Sequence, residues 1–233
     1  MMRHEAIGAR KRGPKTVAVI SRKGGSGKTT IATSIAIGLS RRGLRTLLAD
    51  TDPQGTATEV LKHRSAGAPS YRVSSGAKLY TLKLELEREG YDALVVDTPG
   101  VLQDEASLAI SGSDLTLLVV RPSYLDLAAA AYTARLITQL RKPGLVVLNQ
   151  APPARGGRET SKVERALEAL KLLQLPISPV IVHSRAAFQS SAERGLSVEE
   201  TWQDLMAAGE IASLTELVLI NLRDYASPEL RGA

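Results

Sequence analysis

The chain has 233 residues, of which 43% are hydrophobic and 23% charged, and this fits one α/β domain. Its formal net charge of +6 suggests an anionic partner, either nucleic acid or an acidic membrane surface. It has no cysteine, which excludes disulfides, thiolate metal sites and iron–sulfur clusters. Because the sequence shows neither an uninterrupted run of about 18 apolar residues nor an apolar N-terminal segment, we expect a cytoplasmic protein without a membrane span.

Apolar, β-branched runs alternate with segments of helical periodicity from residue 16 onward. The runs predict buried strands at residues 16–20, 44–50, 93–97, 115–120, 144–149 and 178–183, and a short edge strand at 71–74. The periodic segments predict helices at residues 31–40, 56–62, 78–89, 127–140, 159–173 and 209–222. This alternation predicts an α/β fold with a doubly wound, mostly parallel sheet and helices on both faces.

The chain divides into three predicted parts. Residues 1–15 are rich in Arg, Lys, Gly and Pro, and they predict a short basic arm that is either a solvated tail or a contact to DNA phosphates. Residues 16–225 predict a single domain, and residues 226–233 predict a C-terminal tail. The arm is too short for a helix-turn-helix, so we expect no sequence-specific DNA recognition there.

The segment between the first strand and the first helix is glycine-rich and typical of a phosphate-binding loop. Its residues are Lys23, Gly24, Gly25, Ser26, Gly27, Lys28, Thr29 and Thr30. Glycines let consecutive backbone N–H groups point into one concavity, and the start of the helix adds a partial positive charge there. Lys28 can then reach the β- and γ-phosphates, while the Thr29 hydroxyl can hold Mg²⁺. The loop therefore predicts a site for ATP or GTP with Mg²⁺.

The loop departs from the general pattern G-x-x-x-x-G-K-[ST], because Arg22 occupies the place of the first glycine. A second lysine, Lys23, stands just ahead of the two glycines instead. The resulting pattern K-G-G-x-G-K-[ST] resembles the deviant Walker A loop of the ParA/MinD class of P-loop ATPases. The resemblance covers roughly residues 16–222 and implies that Lys23 crosses a dimer interface to touch the nucleotide of the other subunit.

Carboxylates follow two of the predicted strands, at the edge of the sheet where ligands bind in open α/β folds. Asp50 and Asp52 follow the second strand, and Asp97 ends the strand at 93–97. The segment Asp-x-Asp-Pro-Gln-Gly resembles the ParA-type pattern, in which the second aspartate, here Asp52, orients the attacking water and Asp50 lies nearer the magnesium shell. Asp97 matches the Walker B position, where a carboxylate holds a magnesium-bound water.

Two further polar residues have alternative roles. Asn149 corresponds by resemblance to an asparagine that bonds the adenine, but it could equally close the strand before it. Asp126 lies in a Val-x-Pro-Ser-x-x-Asp segment that resembles the family near its dimer interface. We favour the simpler interpretation, in which Asp126 caps the following helix.

Four arginines in the C-terminal half are candidates for a surface that grips the DNA backbone. They are Arg155, Arg158, Arg185 and Arg194. Arg185 and Arg194 could instead be ordinary surface residues, or structural partners of Glu193 or Glu199. Phosphate contacts of this kind bind DNA without sequence preference and depend strongly on salt.

The resemblance implies a ParA-like ATPase that forms a homodimer on ATP, binds DNA non-specifically as a nucleoid-associated protein, and partitions plasmid or chromosomal DNA. A ParB-like centromere-binding protein would stimulate a slow hydrolysis. A MinD-like membrane cycle is an alternative, which the acidic residues of the predicted helix at 209–222 disfavour. A relative that positions protein cargo, such as chemoreceptor arrays or microcompartments, is another. A metabolic enzyme of the dethiobiotin-synthetase sort is disfavoured because no substrate-binding insertion is evident.

Overall fold

A computed structural model describes residues 13–100, 103–154, 156–201 and 203–224. Its strands are β1 (Lys15–Ile20), β2 (Thr46–Asp50), β3 (Ser70–Val73), β4 (Ala93–Asp97), β5 (Leu115–Val120) and β6 (Gly144–Leu148). Its helices are α1 (Lys28–Arg41), α2 (Thr56–Lys62), α3 (Leu79–Glu89), α4 (Gln103–Gly112), α5 (Tyr124–Gln139), α6 (Ser161–Lys171), α7 (Ala186–Ala192), α8 (Val198–Thr201) and α9 (Leu205–Asp224).

The six strands form one sheet in the order β3-β2-β4-β1-β5-β6, and all neighbouring pairs are parallel. β1 lies between β4 and β5, so the chain reverses its direction of travel through the sheet beside β1. The register places Val19 opposite Asp97 and Asp50 opposite Asp97. The carboxyl ends of β1, β2 and β4 therefore meet at one edge, beside the point where strand order reverses, which is where open α/β sheets bind ligands.

Two hydrophobic clusters cover the two faces of the sheet. Val17 and Val19 of β1 pack in one cluster with α1 and α9, whereas Ala18 and Ile20 pack in the other with α3, α5 and α6. Alternate side chains of a strand point to opposite faces, so a strand that is covered on both faces is apolar throughout. This arrangement explains the continuous apolar runs of the sequence and confirms the predicted doubly wound fold.

The predicted strand at residues 178–183 is wrong. The segment runs beside β6 but forms only isolated bridges, because the amides of Ser178 and Val182 donate to β6 whereas the Val180 amide between them donates to the Ser178 hydroxyl. The bridges pair Val146 with Ile177 and Ala151 with His183. The segment still places His183 and the residues after it against the end of the sheet.

Several helix boundaries differ from the prediction, and the differences at α5 and α9 bear on predicted roles. α5 begins at Tyr124 rather than residue 127, and its N-cap is Ser123, whose Oγ accepts a hydrogen bond from the Asp126 amide. Asp126 therefore lies in the first turn and is not the cap. α9 begins at Leu205, four residues before the predicted start, and by length and composition it could cross a membrane. One apolar face of α9, including Ile211, Leu214 and Val218, packs in the first cluster with α1, while Leu205, Met206 and Ile220 are exposed.

Candidate functional site

The glycine-rich loop joins β1 to α1 at the carboxyl edge of the sheet. Gly27 immediately precedes α1 with φ +86°, a conformation that glycine adopts without steric cost. A Cβ at this position would lie 2.3 Å from Nδ2 of Asn149, so a larger residue would collide with that side chain. The loop can therefore pass this close to the end of β6 only because residue 27 is glycine.

Lys28 projects from the first turn of α1 into a nearly dry environment. Its side chain is buried, and its Nζ lies next to Gly100: a Cβ added at this glycine would be only 3.3 Å from Nζ. Burial lowers the pKa of Lys28, while the negative charges of Asp97 and Asp52 oppose that shift. A desolvated ammonium in this position would be stabilised by an incoming anion such as a phosphate.

Asp97 lies at the bottom of the same site with no exposed surface. Its Oδ2 accepts a hydrogen bond of 2.8 Å from the Thr29 hydroxyl, and its Oδ1 has no hydrogen-bond partner. Burial raises the pKa of Asp97 to about 7, with a further contribution from Asp50, against the Thr29 hydrogen bond and the charge of Lys28. A buried carboxylate with one free oxygen fits a cation or a cation-bound water.

The donor set suits Mg²⁺ bound together with a nucleotide. Within the described ranges, no group of three or more His, Cys, Asp or Glu side chains could hold a metal ion unaided. Mg²⁺ commonly takes one or two protein oxygens and completes its shell with water and substrate phosphates. Thr29 and Asp97 offer oxygens of this kind, and their role in binding Mg²⁺ stays a prediction.

Asp50 and Asp52 have different surroundings. Asp50 is buried, and its two oxygens accept hydrogen bonds from the amides of Asp52 at 3.2 Å and Thr58 at 2.8 Å. It thus holds the β2–α2 connection in place. Asp52 is half-buried, accepts from the Gln54 amide at 3.0 Å, and acts electrostatically on Lys28. Of the two, Asp52 has the carboxylate at the rim of the site.

Lys23 lies on the opposite side of the loop, near the start of α5. It is half-buried, and its charge acts on Asp126. Burial raises the pKa of Asp126, but hydrogen bonds from Arg121 and Ser123 and the charges of Arg121 and Lys23 outweigh burial, so the net shift is downward. The preceding residue, Arg22, stacks over the Tyr132 ring of α5 at 4.5 Å from the centroid.

Asn149 lines a cavity of about 340 Å³ beside the loop. It is buried, and its Nδ2 donates to the Ser26 carbonyl at 2.8 Å. The cavity is lined by loop and α1 residues that include Thr30, by α2, and by residues 183–192. Its position beside the loop suits a nucleoside, and the contact of Asn149 with adenine stays a prediction.

The four candidate DNA-binding arginines do not share one environment. Arg158 and Arg194 are exposed, and Arg155 lies outside the described residues. Arg185 is only 19% exposed and contacts Glu210 at 2.8 Å and Asp204 at 3.7 Å. Its partners are therefore on and just before α9 rather than at the two glutamates named from the sequence, and this favours a structural role for Arg185.

Two residues that touch the loop were not found from the sequence. Arg121 Nη1 lies 3.4 Å from the Gly25 carbonyl, and Gln150 Nε2 donates to the same carbonyl at 3.0 Å. Neither belongs to a recognisable motif, because each acts through a contact between distant segments. The sequence gives no sign of either contact. The structure gives one, because Gln150 adopts φ +53°, which is uncommon for a residue other than glycine.

Comparisons with known proteins give a consistent result. The family model "CobQ/CobB/MinD/ParA nucleotide binding domain" matches residues 17–198. The chain is 35% identical to maintenance of carboxysome distribution protein A of Halothiobacillus neapolitanus, over 78% of this chain and 86% of that protein. It is 31% identical to protein virC1 of Rhizobium radiobacter, over 75% and 78%.

Solved structures show the same fold. McdA of Cyanothece in its ATP complex superposes with a TM-score of 0.72 at 20% identity, covering 91% of this chain and 97% of that one. The MinC:MinD complex of Aquifex aeolicus gives a TM-score of 0.71 at 20% identity, covering 88% and 95%. The overlap extends over most of the described chain in both cases.

Proposed function

Because this chain belongs to the CobQ/CobB/MinD/ParA family of nucleotide-binding domains, whose ParA and MinD members are ATPases, we propose that it is an ATP-driven positioning switch. In this proposal it dimerises on ATP, binds DNA without sequence preference, and distributes a cargo through a partner protein. The observation that carries the proposal is the buried group formed by Lys28, Thr29 and Asp97, with Asp52 at its rim.

The residues divide the work of hydrolysis according to their surroundings. Lys28 binds the β- and γ-phosphates, since its desolvated charge gains most from an anion. Thr29 and Asp97 would hold Mg²⁺, which, when bound, neutralises charge on the phosphates. Asp52 orients the attacking water, because its carboxylate stands at the rim where solvent enters. Lys23 serves the nucleotide of the second subunit.

Binding to DNA would rest on exposed cations. Arg158 and Arg194 are exposed, and the chain as a whole carries a net charge of +6. Backbone phosphate contacts release counterions, so the affinity should fall steeply with salt. Arg185 is a weaker candidate because Glu210 already neutralises it.

Two kinds of cargo fit the proposal. One is plasmid or chromosomal DNA bound by a ParB-like partner, as the name of the Thermus thermophilus relative, chromosome-partitioning ATPase Soj, suggests. The other is a protein body. The similarity to maintenance of carboxysome distribution protein A, at 35% identity, favours this second candidate. Deleting the gene in its native host separates them, since one predicts lost DNA and the other clustered protein bodies.

The proposal is tested by measuring duplex-DNA binding of Asp52→Ala with ATP, with ADP and without nucleotide, across a salt series. We expect binding with ATP only, weakening steeply as salt rises. Lys28→Ala serves as the matched control, because it should not bind DNA under any nucleotide. Absence of DNA binding in all three states would contradict the proposal, and liposomes would then test a membrane cycle of the MinD type.

A further inference from the structure

Three side chains from outside the loop hold its outer edge. Arg121 directly follows β5, and Asn149 and Gln150 directly follow β6. Arg121 and Gln150 contact the carbonyl of Gly25, and Asn149 donates to the carbonyl of Ser26. We propose that these three residues, here called the carbonyl clamp, hold the loop in its phosphate-binding shape before any nucleotide arrives. The inference rests on the proposed function in so far as the loop is taken as a phosphate cradle.

The direction of the peptide planes explains why contacts to carbonyls matter. In a trans peptide, the C=O of one residue and the N–H of the next point in opposite directions. Fixing the carbonyls of Gly25 and Ser26 toward the ends of β5 and β6 therefore turns the N–H groups of Ser26 and Gly27 the other way. Those are loop N–H groups that a phosphate would use, and a concavity of such groups is an anion-binding nest.

Each member of the clamp is itself held in place. Asp126 grips Arg121 at two points, with Nε to Oδ1 at 2.9 Å and Nη2 to Oδ2 at 3.2 Å. Asp126 is buried and also contacts the Ser123 hydroxyl. Two of the guanidinium nitrogens are thus committed to the carboxylate, which leaves Nη1 aimed at Gly25. The bidentate geometry fixes the direction of this third N–H in a way that a lysine could not reproduce.

The other two donors come from a short, constrained segment. Asn149 is buried, and its backbone N–H donates to the Val120 carbonyl at 2.8 Å, which ties the end of β6 to the end of β5. Gln150 holds φ +53°, an unusual conformation that turns its side chain toward the loop. A non-glycine residue kept in such a conformation next to a binding loop is a common sign of a functional constraint.

The clamp gives a positioning role to residues that lie far from the loop in sequence. Gly25 accepts two hydrogen bonds on one carbonyl, one of them from a charged group, which uses both lone pairs of that oxygen. Without these contacts the carbonyls could turn inward, where they would repel a phosphate. The three residues therefore act through the loop and do not need to touch the nucleotide.

Backbone ¹⁵N relaxation of the nucleotide-free protein tests the clamp directly, because order parameters report the mobility of N–H groups whether or not they are hydrogen-bonded. We expect lower order parameters at residues 24–28 in Gln150→Gly, which tolerates the backbone conformation but lacks the donor, and in Gln150→Glu, which keeps the shape but cannot donate. Arg121→Lys should also loosen the loop. It keeps the positive charge opposite Asp126 but loses the N–H that the guanidinium directs at Gly25. Binding of ADP with Mg²⁺ should weaken roughly threefold to tenfold in each variant, as loss of one hydrogen bond implies.

Gln174→Gly is the matched control, because Gln174 is also exposed, also has φ +55°, and lies after α6 beside Arg135 and Leu172. It should leave the loop order parameters and ADP binding unchanged. Unchanged order parameters at residues 24–28 in the clamp variants would overturn the inference, and so would an equal decrease in β1 and β5, which reports general destabilisation. Because no nucleotide is present, this result is independent of whether the protein hydrolyses ATP or binds DNA.

Discussion

Two charged regions border the carboxyl edge of the sheet, and they differ in how their polar groups are satisfied. In the first, around Lys28 and Asp97, Oδ1 of Asp97 and Oγ of Ser26 are buried without hydrogen-bond partners, and burial shifts the pKa values of both charged residues. Such a region is costly in the free protein, because desolvated groups with too few partners destabilise the fold. It gains most when a ligand supplies what is missing.

The second region lies between the segment before α7 and the helix α9. His183 contacts Glu210 at 2.7 Å and Glu159 at 3.2 Å, and Arg185 contacts Glu210 at 2.8 Å. Here the charged groups pair with one another and join three segments of the chain, although Nε of Arg185 is buried without a hydrogen-bond partner. The comparison teaches that charge and burial alone do not mark a binding site. The first region differs because its buried carboxylate has a free oxygen and a raised pKa, beside a lysine whose pKa is lowered. The first region should therefore respond to ligand and the second to folding.

The largest expected effect is at the centre of the first region. Lys28→Ala should weaken ATP binding by roughly 100-fold or more, because it removes the desolvated charge that faces the phosphates. Lys83→Ala is a matched control, since burial also lowers the pKa of Lys83 but its neighbour is Asp114, far from the loop. Titration calorimetry with ATP and Mg²⁺ measures both variants, and equal losses would contradict the comparison.

The next effect separates binding from turnover at the rim. Asp52→Ala should retain ATP affinity within about threefold while kcat falls by roughly 100-fold, the range expected for loss of a group that handles a proton or water. Steady-state phosphate release and ATP binding, measured on the same protein, give the two values. Normal hydrolysis by this variant would show that another residue positions the water.

A substitution in the second region should lower folding stability and leave ATP affinity little changed. Glu210→Gln removes the charge shared by His183 and Arg185, so it should lower the free energy of unfolding by about 2–3 kcal/mol with ATP affinity little changed. Glu216→Gln is the control, because Glu216 pairs with Arg42 at an exposed position where ion pairs contribute about 1 kcal/mol or less. Urea unfolding of both variants checks the difference, and equal losses would remove the distinction between buried and exposed pairs.

The two regions also differ in what the sequence could predict. The first region follows from local pattern, because the loop and Asp97 lie at fixed positions after apolar strands, and the sheet brings strand ends together. The second region depends on distant pairings such as His183 with Glu210, which no spacing reveals. The predicted strand at 178–183 was wrong for a related reason, since its apolar pattern was right but the Val180 amide donates to the Ser178 hydroxyl instead of to β6.

The clamp shows the same limit inside the first region. Gly25 was identified from the loop pattern, but its partners Arg121 and Gln150 come from the residues that follow β5 and β6. Whether these strand ends meet the loop depends on strand order, which alternating periodicity does not determine. Sequence reasoning therefore finds the candidate phosphate-binding residues and misses Arg121 and Gln150, two of the three residues proposed to hold the loop in place.

The smallest expected effect concerns the cost of the first region in the free protein. The pKa of Asp97 is about 7 in the folded state, against its usual value of 3.8. Between these pH values the folded protein binds more protons than the unfolded chain, so this residue makes stability fall as pH rises from about 4 to about 7. Asp97→Asn stays neutral and can still accept from Thr29, so it should melt a few degrees higher than the original protein at pH 8.

The stability gain of Asp97→Asn should be smaller at pH 5. At this pH the folded protein already holds Asp97 protonated, so the remaining cost is only that of protonating a carboxyl that is ionised in the unfolded chain. Thermal unfolding without nucleotide at pH 5 and pH 8 measures the difference, and Asp114→Asn is a partly exposed control for a general effect of charge. With ATP and Mg²⁺ present the order should reverse, because a filled site stabilises only the protein that retains the carboxylate. A variant that is less stable than the original at pH 8 in both conditions would show that Asp97 belongs to the satisfied kind of region, and the contrast between the two regions would fail at its central residue.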